Sequence, residues 1–469
     1  MTDDRYAALV GELETYSQAH PRRYQLQVAA LAALGFGLML LVLGLAGAGL
    51  LALLGVGLAL LLNGGKFLLL LIKAGKLLIL LALPLWFLIK ASMQALFVKF
   101  PKPEGIELTP AQAPALFEAV QQMRQRLRGP AVHHVLITDE VNAAVVQRPA
   151  LGLFGWPRNY LLLGLPLLEH MSPEEALAVV AHEYGHLAGA HGRFGAWIYR
   201  LRLSWATLQG VASQWEGAMG RLLQRLVGAY APYFNAYTHV LARANEYAAD
   251  QASADLVGAA AAARALKRVN LVAPQHEAFL ENQFARVREQ QQPPADLSQR
   301  WAAQPAPAEQ EARQWLDQAL RRQPQLHDTH PALAQRLQAL RAAGPDELPP
   351  LALPHSAAQR WLAGALPSLR ERMAREWQGR LEGPWQERHQ ALREQAEELE
   401  QLRALAHPDR EQWLRRLRAC SRRWKRASMP WPPTRTSTAR IRKTWSACSA
   451  KARPGWRPET SRGSTCWSG

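Results

Sequence analysis

Residues 172–186 read Ser-Pro-Glu-Glu-Ala-Leu-Ala-Val-Val-Ala-His-Glu-Tyr-Gly-His, and the fold is read outward from this stretch. Ser172 offers an N-cap hydroxyl, Pro173 stands at the first helical position and Glu175 at the third, the arrangement of a capping box. Leu177, Val180 and Ala181 follow at helical spacing, so a helix with one apolar face is expected. His182 and His186 are four residues apart and share a face of that helix, where both imidazoles can reach one tetrahedral metal ion. Zinc lowers the pKa of a water ligand from 15.7 to roughly 7, and the neighbouring carboxylate, Glu183, could take the proton as that water attacks a carbonyl carbon. That chemistry is peptide-bond hydrolysis. The plain alternative is a helix that happens to carry two of the chain's 14 histidines. The placement of the motif on a well-capped amphipathic helix weighs against it.

Two histidines leave a third protein ligand to be found. His191 comes one residue early: the metzincin spacing needs histidine at position 192, which is glycine. On a regular helix His191 would point about 100° away from the required direction, as a helix-end or outer histidine does. The segment 243–250, Arg-Ala-Asn-Glu-Tyr-Ala-Ala-Asp, offers Glu246 and Asp250 four apart on one helical face. Glu246 would be the ligand, and Asp250 would accept the free N–H of a ligating histidine. Alone, such a pair is usually a solvated charged face; the zinc motif upstream gives it weight.

On these residues the chain resembles the HtpX and CAAX-prenyl-protease family of gluzincin zinc metallopeptidases, from about Val135 to Leu340. The likeness extends to Asn142-Ala143, the run Tyr160 to Leu168, and Thr329-His330-Pro331 with Arg336. It implies one zinc per chain on His182, His186 and Glu246, with His330 helping to hold the oxyanion and Arg336 bracing the ligand shell. It also implies that Asn142 and Ala143 lie on an edge strand that receives an extended protein or peptide substrate. Read without the resemblance, His330-Pro331 is a helix N-terminus and Arg336 a surface charge. The family usually has an aromatic residue after Asn-Ala, where this chain has Ala144.

From Val28 to Leu62 no residue is charged, a run far longer than the apolar part of a signal peptide. As one helix its 35 residues would extend about 52 Å, beyond a hydrocarbon core of about 30 Å. A second apolar block, Phe67 to Phe97, is interrupted by Lys73, Lys76 and Lys90. Two geometries fit: a long first helix turning at Asn63-Gly64-Gly65 into a second span, or a tight hairpin near Gly47-Ala48-Gly49 followed by an interfacial helix. Arg22 and Arg23 precede the blocks and Lys90, Lys99 and Lys102 close them, which puts both ends in the cytoplasm. With the resemblance, this implies a bacterial inner membrane protein whose catalytic domain faces the cytoplasm. Residues Ala196 to Tyr230 carry Arg200, Arg202, Glu216, Arg221 and Arg225, which suits a surface amphipathic helix rather than a further span.

The formal net charge is +17, of which the last fifty residues, from Cys420, contribute +11 through twelve Lys or Arg and one Glu. All three cysteines lie there, without zinc-ligand spacing. A basic, tryptophan-bearing tail can be read as a nucleic-acid or anionic-membrane arm. The abrupt loss of apolar periodicity after Arg418 favours a frameshifted, disordered tail, and no nucleic-acid partner is expected.

The expected fold is mainly α with a small β-sheet: N-terminal transmembrane helices, two spans, followed by a helical zincin-type domain. The boundaries read 1–26 for a polar lead, 27–98 for the transmembrane region and 105–345 for the peptidase domain. Amphipathic helices follow over 357–419, broken at Gly383-Pro384 and His407-Pro408, then the tail at 420–469. Strands are expected at His134 to Thr138 and Asn159 to Leu165, a helix from Thr109-Pro110 to about Leu127, and a lid or plain linker at Gln290 to Pro307. A membrane-anchored zinc endopeptidase acting on proteins or peptides is the function these features fit. The rival is a membrane adaptor with a structural zinc and a helical protein-binding module. Glu183 argues against it, because a structural site needs no base beside it. No oligomeric state can be read from the sequence.

Overall fold

A computed structural model describes residues 2–62, 68–97, 101–151, 154–212, 217–324 and 328–403. The basic tail, Asn63-Gly64-Gly65 and His407-Pro408 lie outside the described residues, as do the side chains of Lys73, Lys76 and His191. The described part is mostly helical with one small mixed sheet. It falls into two units, one drawing on residues 2–41, 96–202 and 230–403 and the other on 42–95 and 203–229.

Chain order begins with α1 (Asp3–Ala19), α2 (Pro21–Leu62) and α3 (Leu68–Leu96). The polar lead is thus a helix, and α2 runs unbroken through Gly47-Ala48-Gly49, which removes the tight-hairpin geometry. Among the described residues, Pro21–Ala59 is the one helix long and apolar enough to cross a membrane, with a mean hydropathy of 2.5; the apolar part of α3, Leu78–Gln94, is shorter. In the second unit Gly49 lets α2 approach α3: a Cβ at Gly49 would stand 3.1 Å from Leu85 Cδ1.

In the first unit follow β1 (Ile106–Leu108), α4 (Pro114–Leu127), β2 (His134–Thr138), β3 (Ala143–Leu151) and β4 (Phe154–Gly164). The sheet order is β1-β2-β4-β3, with β2 and β4 parallel and the outer pairs antiparallel. Alternation of side chains sends Val135, Ile137, Leu161 and Leu163 into the main core and Leu136, Tyr160 and Leu162 into a small cluster on the opposite face. β3 is therefore an edge strand, and it lies against α6 (Pro173–Gly185), the helix carrying His182 and His186. α5 (Leu165–Glu169) joins β4 to α6.

Then come α7 (Gly189–Ala212), α8 (Gly217–Val257), α9 (Ala259–Ala285), α10 (Leu297–Ala302), α11 (Glu309–Arg321), α12 (Leu333–Ala339), α13 (Ala357–Leu362) and α14 (Leu366–Arg403). Two sequence expectations change here. The Gln290–Pro307 stretch is not a lid: Leu297 and Trp301 are buried in the main core, and the Trp301 indole donates to Pro166 O at 2.9 Å. Gly383-Pro384 does not break the C-terminal helix, because Leu381 and Trp385 are both buried and hold α14 to the core across the proline. α14 is further pinned by Arg370, 2.7 Å from the buried Glu169, and by an Arg380–Asp139 ion pair.

Candidate metal centre

The helix carrying His182 and His186 is set by its own sequence and then locked by neighbours. Glu175 N donates to Ser172 Oγ at 3.2 Å and Ser172 N to the Glu175 carboxylate at 2.9 Å, which completes the expected capping box. The same carboxylate, 2% exposed, is gripped by Arg268 from α9 at 3.3 Å, and Arg268 also donates to Pro350 O. At the other end, Gly185 lets α8 come close: a Cβ there would stand 3.1 Å from the Cα of Ala249. Ser253 donates to Ala178 O at 2.7 Å, and the Tyr184 hydroxyl to Pro130 O at 2.5 Å.

This packing brings Glu246 of α8 to the two histidines of α6. Its Oε2 is 3.6 Å from His182 Nε2 and its Oε1 is 3.5 Å from His186 Nε2, with all three ligand atoms inside 4.8 Å of one another. The two rings stand nearly perpendicular, at 86°. Four ligands at about 2.0–2.1 Å on a tetrahedron are separated by about 3.3–3.4 Å, so the nitrogen-to-oxygen spacings fit a single zinc-sized ion. His182 turns its other nitrogen, Nδ1, to Asp250 Oδ1 at 2.9 Å. Arg336 of α12 grips Asp250 with two bonds, at 2.6 and 2.8 Å, and its guanidinium lies 3.3 Å from the His182 ring. His330, on the loop before α12, meets Glu246 Oε2 through Nδ1 at 2.7 Å.

Electrostatics agree with a divalent cation. Three carboxylates, Glu183, Glu246 and Asp250, and one guanidinium, Arg336, surround the two histidines. Burial raises the Glu183 carboxyl above its ordinary value. Burial also opposes ionisation of Glu246 and Asp250, yet hydrogen bonds from His182 and His330 to the first, and from Arg336 and His182 to the second, hold both below the usual carboxylate range. For His182, burial acts downward, but the Asp250 and Glu246 carboxylates prevail and lift it to about 9. His186, lacking a second carboxylate, is pushed by burial down to about 4. The proton favoured on His182 stands where a bound cation would answer the same negative field.

All the residues singled out from the HExxH and Glu-x-x-x-Asp motifs meet here, with His330 and Arg336. Asn142 falls one residue outside the edge strand, which starts at Ala143; its carbonyl accepts from Gly164 N at 2.8 Å, and Ala143 pairs with Leu163. Two further features escaped sequence reading. One is Arg243, a turn before Glu246, which reaches Gln335 of α12 at 3.1 Å. The other is the Arg268 grip on Glu175, visible beforehand only as a basic residue on a helical face.

A helix-borne histidine pair closed by a glutamate from a later helix, with a carboxylate behind one imidazole, defines a candidate metallopeptidase centre. The sequence model of peptidase family M48 matches residues 116–343, which span every residue of this cluster. The chain is also 29% identical over 163 residues, 27% of its own length, to Protease HtpX of Pseudomonas putida (strain W619), and it covers 52% of that relative. It thus spans about half the length of the relative it matches. These two likenesses support an assignment of the domain to the HtpX-like metallopeptidases of family M48.

Proposed function

We propose that the protein is a membrane-anchored, zinc-dependent endopeptidase, with the peptidase domain over 105–345 facing the cytoplasm. The observation that carries the reading is the convergence of His182, His186 and Glu246, their ligand atoms within 4.8 Å of one another, with Asp250 on the far nitrogen of His182. His182, His186 and Glu246 would hold the ion. When bound, zinc supplies Lewis acidity, lowering the pKa of a water to roughly 7 and polarising the scissile carbonyl.

The chain's own residues supply the rest. Glu183 takes the proton from the attacking water and delivers it to the leaving amine nitrogen; the burial that raises its pKa makes it a stronger base for the first transfer. Asp250, fixed by Arg336, keeps the proton of His182 on Nδ1 and so leaves Nε2 free as a ligand. His330, its Nδ1 on Glu246, would offer its other ring nitrogen to the developing oxyanion. Substrate would add to β3 as an extended strand beside α6, past Asn142 and Ala143. Membrane anchoring rests on the length and hydropathy of Pro21–Ala59, and the cytoplasmic placement on the flanking Arg22, Arg23, Lys90, Lys99 and Lys102.

Glu183→Gln is the direct test. Turnover of a protein substrate should fall by about 10²–10⁴-fold while bound zinc is retained. Unchanged turnover would remove Glu183 as the base, and absence of turnover by the unaltered, zinc-loaded protein would leave the zinc a structural role and the protein an adaptor.

A further inference from the structure

His330 poses a packing problem. Its side chain is 54% exposed, yet its Nδ1 sits 2.7 Å from Glu246. A half-exposed imidazole is not fixed by its own contacts, so its backbone must be anchored from elsewhere. The anchor is the start of α12. Ala332, the N-cap, has no side-chain oxygen, so the capping rests on Gln335, whose Oε1 accepts from Ala332 N at 3.1 Å. The same oxygen accepts from Arg243 Nη2, also at 3.1 Å.

Arg243 has a second commitment. Its Nη1 stands 2.8 Å from Glu14 Oε1 on α1, with the two side chains 14% and 33% exposed. α1 is itself seated: Val10 and Leu13 are buried, and just beyond it Tyr24 donates to Tyr237 O at 2.6 Å and stacks on the Tyr237 ring. One planar guanidinium therefore ties three helices, α1, α8 and α12, with different nitrogens serving different partners. A lysine ammonium does not reproduce this fork.

We propose that Arg243 is a positioning residue for the loop carrying His330, acting through Gln335 and braced by Glu14. The proposal rests on the role given above to His330. It makes the N-terminal polar helix part of the catalytic apparatus rather than a lead into the membrane.

The test is a double-mutant cycle on the full chain in detergent micelles, with hydrogen exchange as a readout independent of activity. Arg243→Ala and Gln335→Ala should each lower kcat about tenfold with KM within about twofold and zinc content unchanged. Placed on His330→Ala, Arg243→Ala should cost less than about twofold, because the residue it positions is gone. Glu14→Gln should lower kcat about two- to threefold. Amides of residues 328–336 should exchange faster in both single variants, while those of 173–186 stay protected. An undiminished tenfold loss on His330→Ala, or unchanged exchange at 328–336, would overturn the proposal. If Arg243→Ala does not fold, Gln335→Ala, which removes only an exposed side chain, carries the same test. Absence of hydrolysis by the unaltered protein would strike the peptidase reading instead, and the exchange data would still decide the positioning.

Discussion

Asp250→Asn keeps the shape of the group behind His182 and removes its charge. The carboxylate faces His182 Nδ1 at 2.9 Å and Arg336 at 2.6 and 2.8 Å. An asparagine that turned its NH₂ toward His182 would donate to Nδ1 and drive the ring proton to Nε2, the nitrogen 3.6 Å from Glu246 that is needed for the metal. Loss of such an outer partner costs about 10–100-fold in metal affinity, or about 1.4–2.7 kcal/mol, and the tautomer change argues for the upper half of that range. A second cost falls on Arg336, whose side chain is only 15% exposed. Removing one charge of a buried pair costs about 3–5 kcal/mol; since the asparagine oxygen still accepts one bond, about 3 kcal/mol is expected. At about 2–4 °C per kcal/mol, the melting point should fall by about 6–12 °C. Competition with a chromophoric zinc chelator gives the affinity, and thermal unfolding at saturating zinc gives the stability. Zinc affinity within about threefold of the unaltered protein, together with an unshifted Tm, would refute the role given to Asp250.

Two further outcomes follow from packing and burial. Gly164→Ala should destabilise the domain by about 3 kcal/mol or more in chemical unfolding, because a Cβ there would stand 1.7 Å from the backbone oxygen of Glu140, which cannot swing aside. His276, packed edge-on against the Trp301 ring near His170, is pushed by burial down to about 4 from the ordinary 6.5. The unfolded chain binds that proton below about pH 6.5 and the folded one only near 4, so stability from this group is present above 6.5 and lost as pH falls. The full loss is worth roughly 3 kcal/mol, and His276→Gln should flatten the pH dependence of unfolding between about pH 4 and 6.5.

What the sequence made legible were the features encoded by neighbours in the chain. The capping box of α6 and the four-residue spacing of its histidines depend on a single turn of helix. β2 was readable at its observed limits, His134–Thr138, because a compact apolar run announces a buried strand. β4 begins five residues before the expected Asn159, and β3 was expected only through the resemblance, as an edge strand at Asn142 and Ala143; Arg148-Pro149 interrupts its pattern, and its register comes from pairing with β4. Trp301 and Leu297 were hidden in a Gln- and Pro-rich stretch whose composition suggests a loop, until their burial fixes it. Arg243 gave no signal at all. Its partners lie 92 residues downstream and, at Glu14, on the far side of the apolar segments, so only the fold assembles the trio.

The central claim is that His182, His186 and Glu246 chelate one catalytic zinc ion. Metal analysis of the purified full-length protein beside Glu246→Ala tests it most directly. The expected result is close to one zinc per chain, with X-ray absorption showing nitrogen and oxygen ligands at about 2.0–2.1 Å, and loss of most of that zinc on substitution. A protein that copurifies with no zinc and fails to bind it on titration, or a Glu246→Ala variant that retains the full complement, would contradict it.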